Sequence, residues 1–233
     1  MQIKAVVFDI GQTLVYYPFP LNWSAMYRPV FESIAKAHGL TVSEEEYAHI
    51  GGTLAKYNTR INPREREVSS DTIFREILEG TNIPSDLLQE IKRDFYGFFR
   101  RDTMIYEEAE ATLAALRERG LLICTLSDVA YGMDNEYAFA DAGALIEYID
   151  IPYTSNDTGY RKPCGRGLEL IAEKAGISPA EMIFVGDEKK DMECAANAGA
   201  VSVLIDRTDG EKSFGQDYTI KSLAELLTLT ENI

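Results

Sequence analysis

The sequence lacks long apolar runs, has few cysteines and is poor in positive charge. No run of about eighteen apolar residues occurs, so we expect no membrane-spanning helix. The cysteines are an odd set at irregular spacing without a Cys-x-x-Cys pair, which predicts free thiols: Cys124, Cys164 and Cys194. The net charge of −15 argues against nonspecific binding to nucleic acid or to an anionic membrane surface.

What remains is the composition of an ordinary globular protein, with 45% hydrophobic and 26% charged residues. A chain of 233 residues can bury a sizeable core, either as one large domain or as a core with a smaller module. Its first residues, Met1 to Lys4, lead directly into an apolar segment and leave no room for a signal peptide. We therefore expect a cytoplasmic protein.

Short apolar runs alternate with amphipathic helical stretches along most of the chain, which is typical of an α/β fold with a parallel sheet. The predicted strands are Ile3–Phe8, Leu121–Leu126, Ile146–Ile151, Met182–Val185 and Val201–Ile205. The helices predicted between them are Glu107–Arg119, which stops at Gly120, and Gly165–Lys174, which stops at Gly176. A short capped turn is expected at Ser178–Glu181.

The segment from Tyr16 to Arg101 breaks this alternation and contains no convincing strand. Its predicted helices are Ser24–His38, Ser43–Asn58, Ser70–Leu78 and Ser85–Phe99, with a polar, arginine-rich connection at Thr59–Glu67. A segment of about eighty-five residues is too long for a loop. We therefore expect a helical cap of residues 16–101, inserted into a core of residues 1–15 and 102–233 and lying over the carboxyl ends of the strands.

Polar side chains suited to phosphate chemistry follow four of the predicted strands. They are Asp9, Ser127 with the next residue Asp128, Lys162, and Asp187 with Asp191 four residues on. Taken singly, each is explained by a helix cap, a turn or a solvated surface. Because the carboxyl ends of parallel strands meet at one edge of a sheet, their conjunction predicts a ligand site there.

At these residues the chain resembles the haloacid dehalogenase-like superfamily, in its phosphatase-rich branch with a helical cap after the first strand. The matching motifs are Asp9-Ile10-Gly11-Gln12-Thr13-Leu14, Leu126-Ser127-Asp128, Arg161-Lys162-Pro163 and the run from Gly186 to Gly199. The first and last motifs are specific, and the resemblance covers essentially the whole chain. It implies a Rossmann-like three-layer core and a Mg²⁺-dependent phosphatase of a small phosphorylated metabolite. A monomer or homodimer is expected, without a nucleic-acid or membrane partner.

The resemblance also implies a role for each site residue. Asp9 would be the nucleophile that forms an aspartyl-phosphate. The Mg²⁺ ligands would be the carboxylates of Asp9 and Asp187 and the backbone carbonyl of Gly11, with Asp191 as a nearby carboxylate that positions the metal or Lys162. The groups implied to hold the phosphoryl oxygens are Ser127, Asp128, Lys162 and the backbone amides of Ile10 and Gly11.

Gly11 departs from the pattern, because phosphatases of this kind usually carry a second aspartate there as general acid. Losing a positioned general acid typically costs about 10²–10⁴-fold in rate. Three explanations stay open: a substrate with a good leaving group, a proton carried by a water or a cap residue, or slow turnover by a protein that mainly binds a phosphorylated ligand. The cap candidates for the proton are His49, Tyr16 and Tyr17.

Two other activities in the same superfamily are weighed on the residues. Phosphonate hydrolases carry a small residue at this position and use a cap lysine, a role for which Lys56 would be the candidate. The dehalogenases of the superfamily need no metal. The pair of acidic residues Asp187 and Asp191 therefore argues against a metal-free dehalogenase.

Substrate choice is assigned to the cap. Its aromatic cluster is expected to pack at the hinge between cap and core, with stacking on a sugar or base as the alternative; it comprises Tyr16, Tyr17, Phe19, Trp23 and Tyr27. Its arginine run, Arg60, Arg64 and Arg66, is typical of a solvated loop, with binding of a second anionic group on the substrate as the alternative.

Overall fold

The computed structural model describes residues 2–18, 23–100, 102–208 and 210–233. Within these ranges a parallel sheet of six strands forms the centre of the fold, in the order β5-β4-β1-β6-β7-β8. The strands are β1 Ala5–Phe8, β4 Leu122–Ser127, β5 Ile151–Thr154, β6 Met182–Gly186, β7 Val201–Ile205 and β8 Tyr218–Ile220. A short antiparallel pair, β2 Val15–Tyr16 and β3 Met104–Ile105, lies apart from it.

The helices fall into an inserted group and a group that flanks the sheet. The inserted group is α1 Trp23–Ala37, α2 Glu44–Tyr57, α3 Ser70–Glu79 and α4 Leu88–Arg100. The flanking group is α5 Ala109–Glu118, α6 Asn135–Ala142, α7 Ser155–Thr158, α8 Arg166–Ala175, α9 Lys189–Ala198 and α10 Glu225–Asn232. Shorter 3₁₀ turns occur at Ser85–Leu87, Ala130–Gly132, Gly143–Tyr148 and Pro179–Glu181.

Alternate residues of β1 divide between the two faces of the sheet, as the pleat of a strand requires. Val6 and Phe8 belong to one apolar cluster, which contains residues of α5 and α10. Ala5 and Val7 belong to a second cluster, which contains residues of α8 and α9. Helices on both faces of a parallel sheet make a three-layer, Rossmann-like α/β fold, which confirms the predicted fold class.

The third predicted strand, Ile146–Ile151, is wrong. Gly143–Tyr148 is a 3₁₀ turn, and the strand β5 begins only at Ile151 and runs through Pro152 to Thr154. The apolar residues before Ile151 pack under α5 and α6 rather than in the sheet. Pro152 is tolerated because β5 is the edge strand, where a missing backbone N–H breaks no inner ladder.

The other predicted elements are found with small shifts of their ends, and several elements were not predicted. The turn at Pro179–Glu181 has the expected capping box from Ser178. The segment from Tyr16 to Arg101 does contain strand, because Tyr16 belongs to the two-residue strand β2, which is too short to leave an alternating pattern. The strand β8 and the helices α6 and α10 were also missed. Phe19, from the predicted aromatic cluster, and Arg101, the predicted domain limit, lie outside the described residues.

The inserted group α1–α4, called the insert below, packs on the core through a shared apolar cluster. This cluster unites buried side chains of all four inserted helices with Val129, Tyr131, Met133 and Ala138, which follow β4. The division into cap and core at residues 16–101 stays a prediction. What the packing shows is a broad apolar contact between the insert and the segment after Ser127.

Two predictions from composition are also testable on the structure. Cys124, Cys164 and Cys194 are free thiols, as expected, with Cys124 and Cys194 buried. None of the helices in the described ranges combines the length and apolar character that crossing a bilayer requires.

Candidate functional site

Asp9 lies at the centre of the sheet's carboxyl edge, because β1 is flanked by β4 and β6. In the ladders, Phe8 aligns with Thr125 of β4 and with Val185 of β6. The backbone N–H of Asp9 donates to the carbonyl of Val185, 2.9 Å away, so the residue is held by the last rung of the ladder. Ser127, at the end of β4, and Asp187, just after β6, therefore reach the same edge as Asp9.

The chain turns sharply after Asp9. The backbone N–H groups of Leu14 and Val15 both donate to the carbonyl of Ile10, at 2.9 and 3.0 Å. Gln12 takes a left-handed conformation with φ 57°, a strained choice for a residue with a side chain. Gly11 needs no such freedom, and a Cβ on it would meet Tyr17 at 3.7 Å, an ordinary contact. The absence of a side chain at Gly11 is therefore not imposed by the backbone.

Lys162 lies between two carboxylates of the sheet edge. Its Nζ is 3.0 Å from Asp9 Oδ1 and 2.6 Å from Asp191 Oδ1, and its side chain is 1% exposed. These contacts are close ion pairs, yet none of the three buried atoms makes a hydrogen bond of good geometry. Burial opposes the charge, but Asp191 and Asp9, with Asp128 beyond them, hold the pKa of Lys162 well above its usual value. Lys162 is a fixed positive charge beside Asp9.

Asp187 and Asp191 complete an acidic cluster with Asp9. One carboxylate oxygen from each lies within 4.8 Å of the others. Burial, together with the negative charges of Asp9 and Asp191, raises the pKa of Asp187 to about 7. Burial also raises the pKa of Asp191. Three carboxylates so close together make a donor set suited to a divalent cation with oxygen ligands.

Asp191 is fixed in the cluster by the start of α9. Its Oδ2 accepts a hydrogen bond of 2.8 Å from the backbone N–H of Glu188, as in a capping box. Gly186 lets the two segments approach, because a Cβ on that residue would lie 2.5 Å from the Asp191 side chain. The fully buried Asp191 is thus positioned by local helix geometry and by the glycine that ends β6.

Ser127 and Asp128 differ in what their side chains contact. Ser127 is a partly buried residue at the last rung of β4, paired in register with Thr154. The carboxylate of Asp128 accepts from the backbone N–H of Lys162 at 3.1 Å and lies 3.5 Å from Lys190 Nζ. Although burial opposes it, the charges of Lys162, Arg161 and Lys190 hold the pKa of Asp128 below its usual value. The Asp128 side chain therefore anchors the lysine loop.

Two of the three predicted proton donors, Tyr17 and His49, have hydrogen-bond partners outside the acidic cluster. The hydroxyl of Tyr17 donates to Asp141 at 3.1 Å, and burial and that carboxylate raise the pKa of Tyr17. His49 Nε2 lies 3.0 Å from the carbonyl of Glu76 within the insert. The ring of Tyr16 packs on Tyr106, with centroids 4.9 Å apart.

Lys56 is also engaged within the insert. Its Nζ donates to both carboxylate oxygens of Glu76, at 2.7 and 2.8 Å. Glu76 raises the pKa of Lys56, whereas a lysine that forms a Schiff base needs a lowered pKa. The geometry therefore gives no support to a phosphonate-hydrolase role for this amine.

A cavity of about 840 Å³ opens beside Lys162, between the connection at 59–65 and the start of α9, and its lining residues do not include Asp9, Asp187 or Asp191. Its walls carry six basic side chains and three acidic ones, in a chain of net charge −15. Of the predicted arginine run, Arg64 is held by the Tyr57 carbonyl and Glu67. Arg66 lies over the ring of Tyr160, 3.9 Å from its centroid. Arg60 is largely exposed on the cavity wall, with Nη2 4.0 Å from Glu188.

The sequence gives no sign that two further residues near the site, Glu67 and Arg161, contact each other. Glu67 and Arg161 form a buried ion pair across 94 positions of the chain. Arg161 belongs to the lysine motif, which assigns it no partner, and the neighbouring sequence does not distinguish Glu67 from Glu65. Their pairing depends on how the insert folds back onto the core, which a single sequence does not reveal.

Comparisons with known proteins agree on one family. The profile of the haloacid dehalogenase-like hydrolases matches residues 3–199. The phosphoserine phosphatase of Thermus thermophilus is 32% identical over 59% of this chain and 54% of its own length, so the chain aligns with only about half of that relative. The ribulose-1,5-bisphosphate 5-phosphatase of Halopiger xanaduensis is 26% identical over 97% of this chain and 98% of its own.

Among solved structures, a 2-haloacid dehalogenase from Pseudomonas syringae superposes with a TM-score of 0.66. The two chains are 18% identical, and the match covers 99% of each. At that identity the likeness establishes the fold and says nothing about the reaction.

Proposed function

This chain belongs to the haloacid dehalogenase-like hydrolase family, and we propose that it is a Mg²⁺-dependent phosphatase of a small phosphorylated metabolite. The observation that carries the proposal is the buried contact of Asp9 with Lys162, beside the carboxylates of Asp187 and Asp191. The names of the phosphatase relatives support the same reaction.

In the proposed reaction a carboxylate oxygen of Asp9 attacks phosphorus, and the bond from phosphorus to the leaving oxygen breaks. Water then attacks the aspartyl-phosphate, which releases phosphate and restores Asp9. Lys162 holds non-bridging oxygens, and the Ser127 hydroxyl and the backbone N–H groups of Ile10 and Gly11 add donors. The Asp128 carboxylate would keep Lys162 in place, so any contribution of Asp128 to phosphate binding would come from its backbone N–H.

The residues present fit a magnesium ion. Asp9, Asp187 and the carbonyl of Gly11 would hold it, with Asp191 beside them and bound to Lys162. When bound, Mg²⁺ supplies positive charge between the nucleophile and the phosphoryl group. The structural reason for expecting a cation is that Asp9, Asp187 and Asp191 bring carboxylate oxygens within 4.8 Å of one another, with, among the described residues, only Lys162 between Asp9 and Asp191 to offset their charge.

Protonation of the leaving group is the step for which these residues offer no evident proton donor. Gly11 cannot transfer a proton, and Tyr17 and His49 are bound to Asp141 and Glu76. A substrate with a good leaving group, or a proton delivered by water, is therefore favoured over protonation by Tyr17 or His49. Because Gly11 stands where a general acid is expected, a second function is also considered: a protein that binds a phosphorylated ligand and hydrolyses it only slowly.

The test is hydrolysis of p-nitrophenyl phosphate with Mg²⁺ or with EDTA. We expect activity that EDTA abolishes and that Asp9→Asn lowers by roughly 10³-fold or more. Lys56→Gln is the matched control, because it removes a charged residue of the insert and should leave activity unchanged. Metal-independent turnover, or full activity in Asp9→Asn, would contradict the proposal. Thermal stabilisation by Mg²⁺ and phosphorylated metabolites without phosphate release would favour the binding protein.

A further inference from the structure

The connection between α2 and α3 is paired with the lysine loop of the core as a short antiparallel ribbon. The backbone N–H of Glu67 donates to the Gly159 carbonyl at 3.1 Å, and that of Arg161 donates to the Glu65 carbonyl at 2.8 Å. Arg66 and Tyr160 face each other between these two bonds. The next residue of the core strand of this ribbon is Lys162. The insert is therefore hydrogen-bonded to the main chain of Arg161, the residue just before Lys162.

The carboxylate of Glu67 gathers donors from both sides of this contact. Its side chain is 3% exposed. Oε2 accepts from Ser155 Oγ at 2.6 Å and from Arg161 Nη1. Oε1 accepts from Arg64 Nη2 at 3.0 Å and from the backbone N–H of Val68 at 2.8 Å. Ser155 and Arg161 belong to the core, whereas Arg64 and Val68 belong to the connection.

Arg161 carries this contact further, to the segment after Ser127. Its Nη1 also donates to the Val129 carbonyl at 2.8 Å, and its Nη2 lies 3.6 Å from Asp128 Oδ2. Asp128 in turn accepts the hydrogen bond from the Lys162 backbone N–H. A chain of contacts thus runs from Glu67 through Arg161 and Asp128 to Lys162.

We propose that Glu67 is a positioning residue, which acts through Arg161 to fix Lys162 against Asp9. The seating of the insert on the core then determines how firmly Lys162 holds a phosphoryl group. This inference rests on the proposed function of Lys162 and adds a residue that its motif does not contain. A merely structural Glu67 would stabilise the fold without a specific effect on the phosphoryl group.

The test compares Glu67→Gln with Lys92→Gln. Lys92 forms another buried ion pair between the insert and the core. Its Nζ lies 2.7 Å from Asp134 of the core and 2.5 Å from Asp71 of the insert, and neither partner belongs to the lysine loop. Both changes remove a charge from a buried pair, so both should lower stability. The readout is calorimetric binding of orthovanadate, a phosphoryl-transfer analogue, in saturating Mg²⁺.

We expect Glu67→Gln to weaken vanadate binding by about tenfold or more, because a small misplacement of a catalytic group is costly. Its Mg²⁺ affinity should stay unchanged, and Lys92→Gln should bind vanadate within about twofold of the wild type. Ser155→Ala serves as a second variant should Glu67→Gln not fold. It removes the hydrogen bond from Ser155 to Glu67, together with the one that Ser155 Oγ accepts from the Val129 N–H, and should weaken vanadate binding by about threefold.

Equal vanadate affinities in Glu67→Gln and Lys92→Gln, or an unchanged affinity in Ser155→Ala where Glu67→Gln does not fold, would overturn the inference. The failure of the proposed function has a different signature. A wild type that binds vanadate but releases no phosphate would refute the phosphatase while the contrast between variants still supports the role of Glu67. If turnover depends on Asp9 but Glu67→Gln and Lys92→Gln bind vanadate equally well, the phosphatase proposal is supported and the positioning role of Glu67 is refuted.

Discussion

Gly11 is the site residue whose missing side chain has the clearest chemical consequence. Its backbone does not require glycine, and a Cβ would make only an ordinary contact with Tyr17. The strained residue of the turn is its neighbour Gln12, with φ 57°. The turn therefore keeps its shape with a side chain at position 11, and the effect of adding one can be attributed to chemistry rather than to folding.

We predict that Gly11→Asp speeds hydrolysis of alkyl phosphates more than that of aryl phosphates. An alkoxide leaves poorly and gains from a positioned acid, whereas a nitrophenolate needs little protonation. The gain on the alkyl substrate should be about 10²-fold or more, measured as kcat/KM with Mg²⁺. Gly11→Asn is the matched control, since it has the same size but no transferable proton. Equal gains on both substrates, or a gain in Gly11→Asn, would count against a missing acid.

At the scale of elements, the sequence predicts the sheet well where strands are continuous and buried. The strand Val201–Ile205 is found at its predicted limits because both of its faces are covered. The run before Ile151 misleads because a 3₁₀ turn packed under helices is as apolar as a strand. The strand β8 has three residues, two of them exposed, and leaves no pattern.

The candidate site divides in the same way. Asp9, Lys162, Asp187 and Asp191 could be brought together in advance, because strand ends of a parallel sheet converge. The side-chain role of Asp128 could not, since a strand-end carboxylate next to Ser127 looks the same whether it faces a ligand or the lysine loop. The pair of Glu67 and Arg161 depends on the seating of the insert, which no local pattern encodes.

The seating of the insert on the segment after β4 yields a stability prediction. Gly132 has φ 65°, and a Cβ on it would lie 2.1 Å from the carbonyl oxygen of Val68. Gly132→Ala should therefore combine left-handed strain with a backbone clash, at a total cost of roughly 2–5 kcal/mol. Gly120→Ala is the matched control, because Gly120 has φ 80° but open space around it, and should cost about 1–2 kcal/mol. Urea unfolding measures the decrease in the free energy of unfolding for both variants. Equal decreases would show that the backbone near Val68 moves to make room for the added methyl group.

At the scale of the whole molecule, the cavity beside Lys162 has a charge opposite to that of the chain as a whole. The chain has a net charge of −15, yet the cavity beside Lys162 has twice as many basic as acidic side chains. Exposed charges are screened over about 8 Å at physiological ionic strength, so the local walls dominate the field that a bound anion feels. Asp9, Asp187 and Asp191 do not line this cavity, and the repulsion within their cluster makes the stability of the whole fold depend on pH and metal.

Asp187 sets the direction of that dependence. Its pKa is about 7 in the metal-free fold, against about 3.9 in an unfolded chain. Between these values the folded state holds a proton that the unfolded state has released, so the free energy of unfolding falls as pH rises from about 4 to about 7 and levels off above. We predict that the Tm in EDTA is higher at pH 6 than at pH 8.

Magnesium should reverse the trend, because the cation and the proton compete for the same carboxylate. We predict that saturating Mg²⁺ raises the Tm strongly at pH 8, less at pH 6 and hardly at pH 5, as calorimetric scans would measure. The control is Asp187→Asn, which removes the repulsion along with the ligand. In EDTA at pH 8 this variant should be more stable than the wild type, and its Tm should respond little to Mg²⁺. A Mg²⁺ effect on the wild type that is equal at pH 6 and pH 8 would show that Asp187 is not the group at which metal and proton compete.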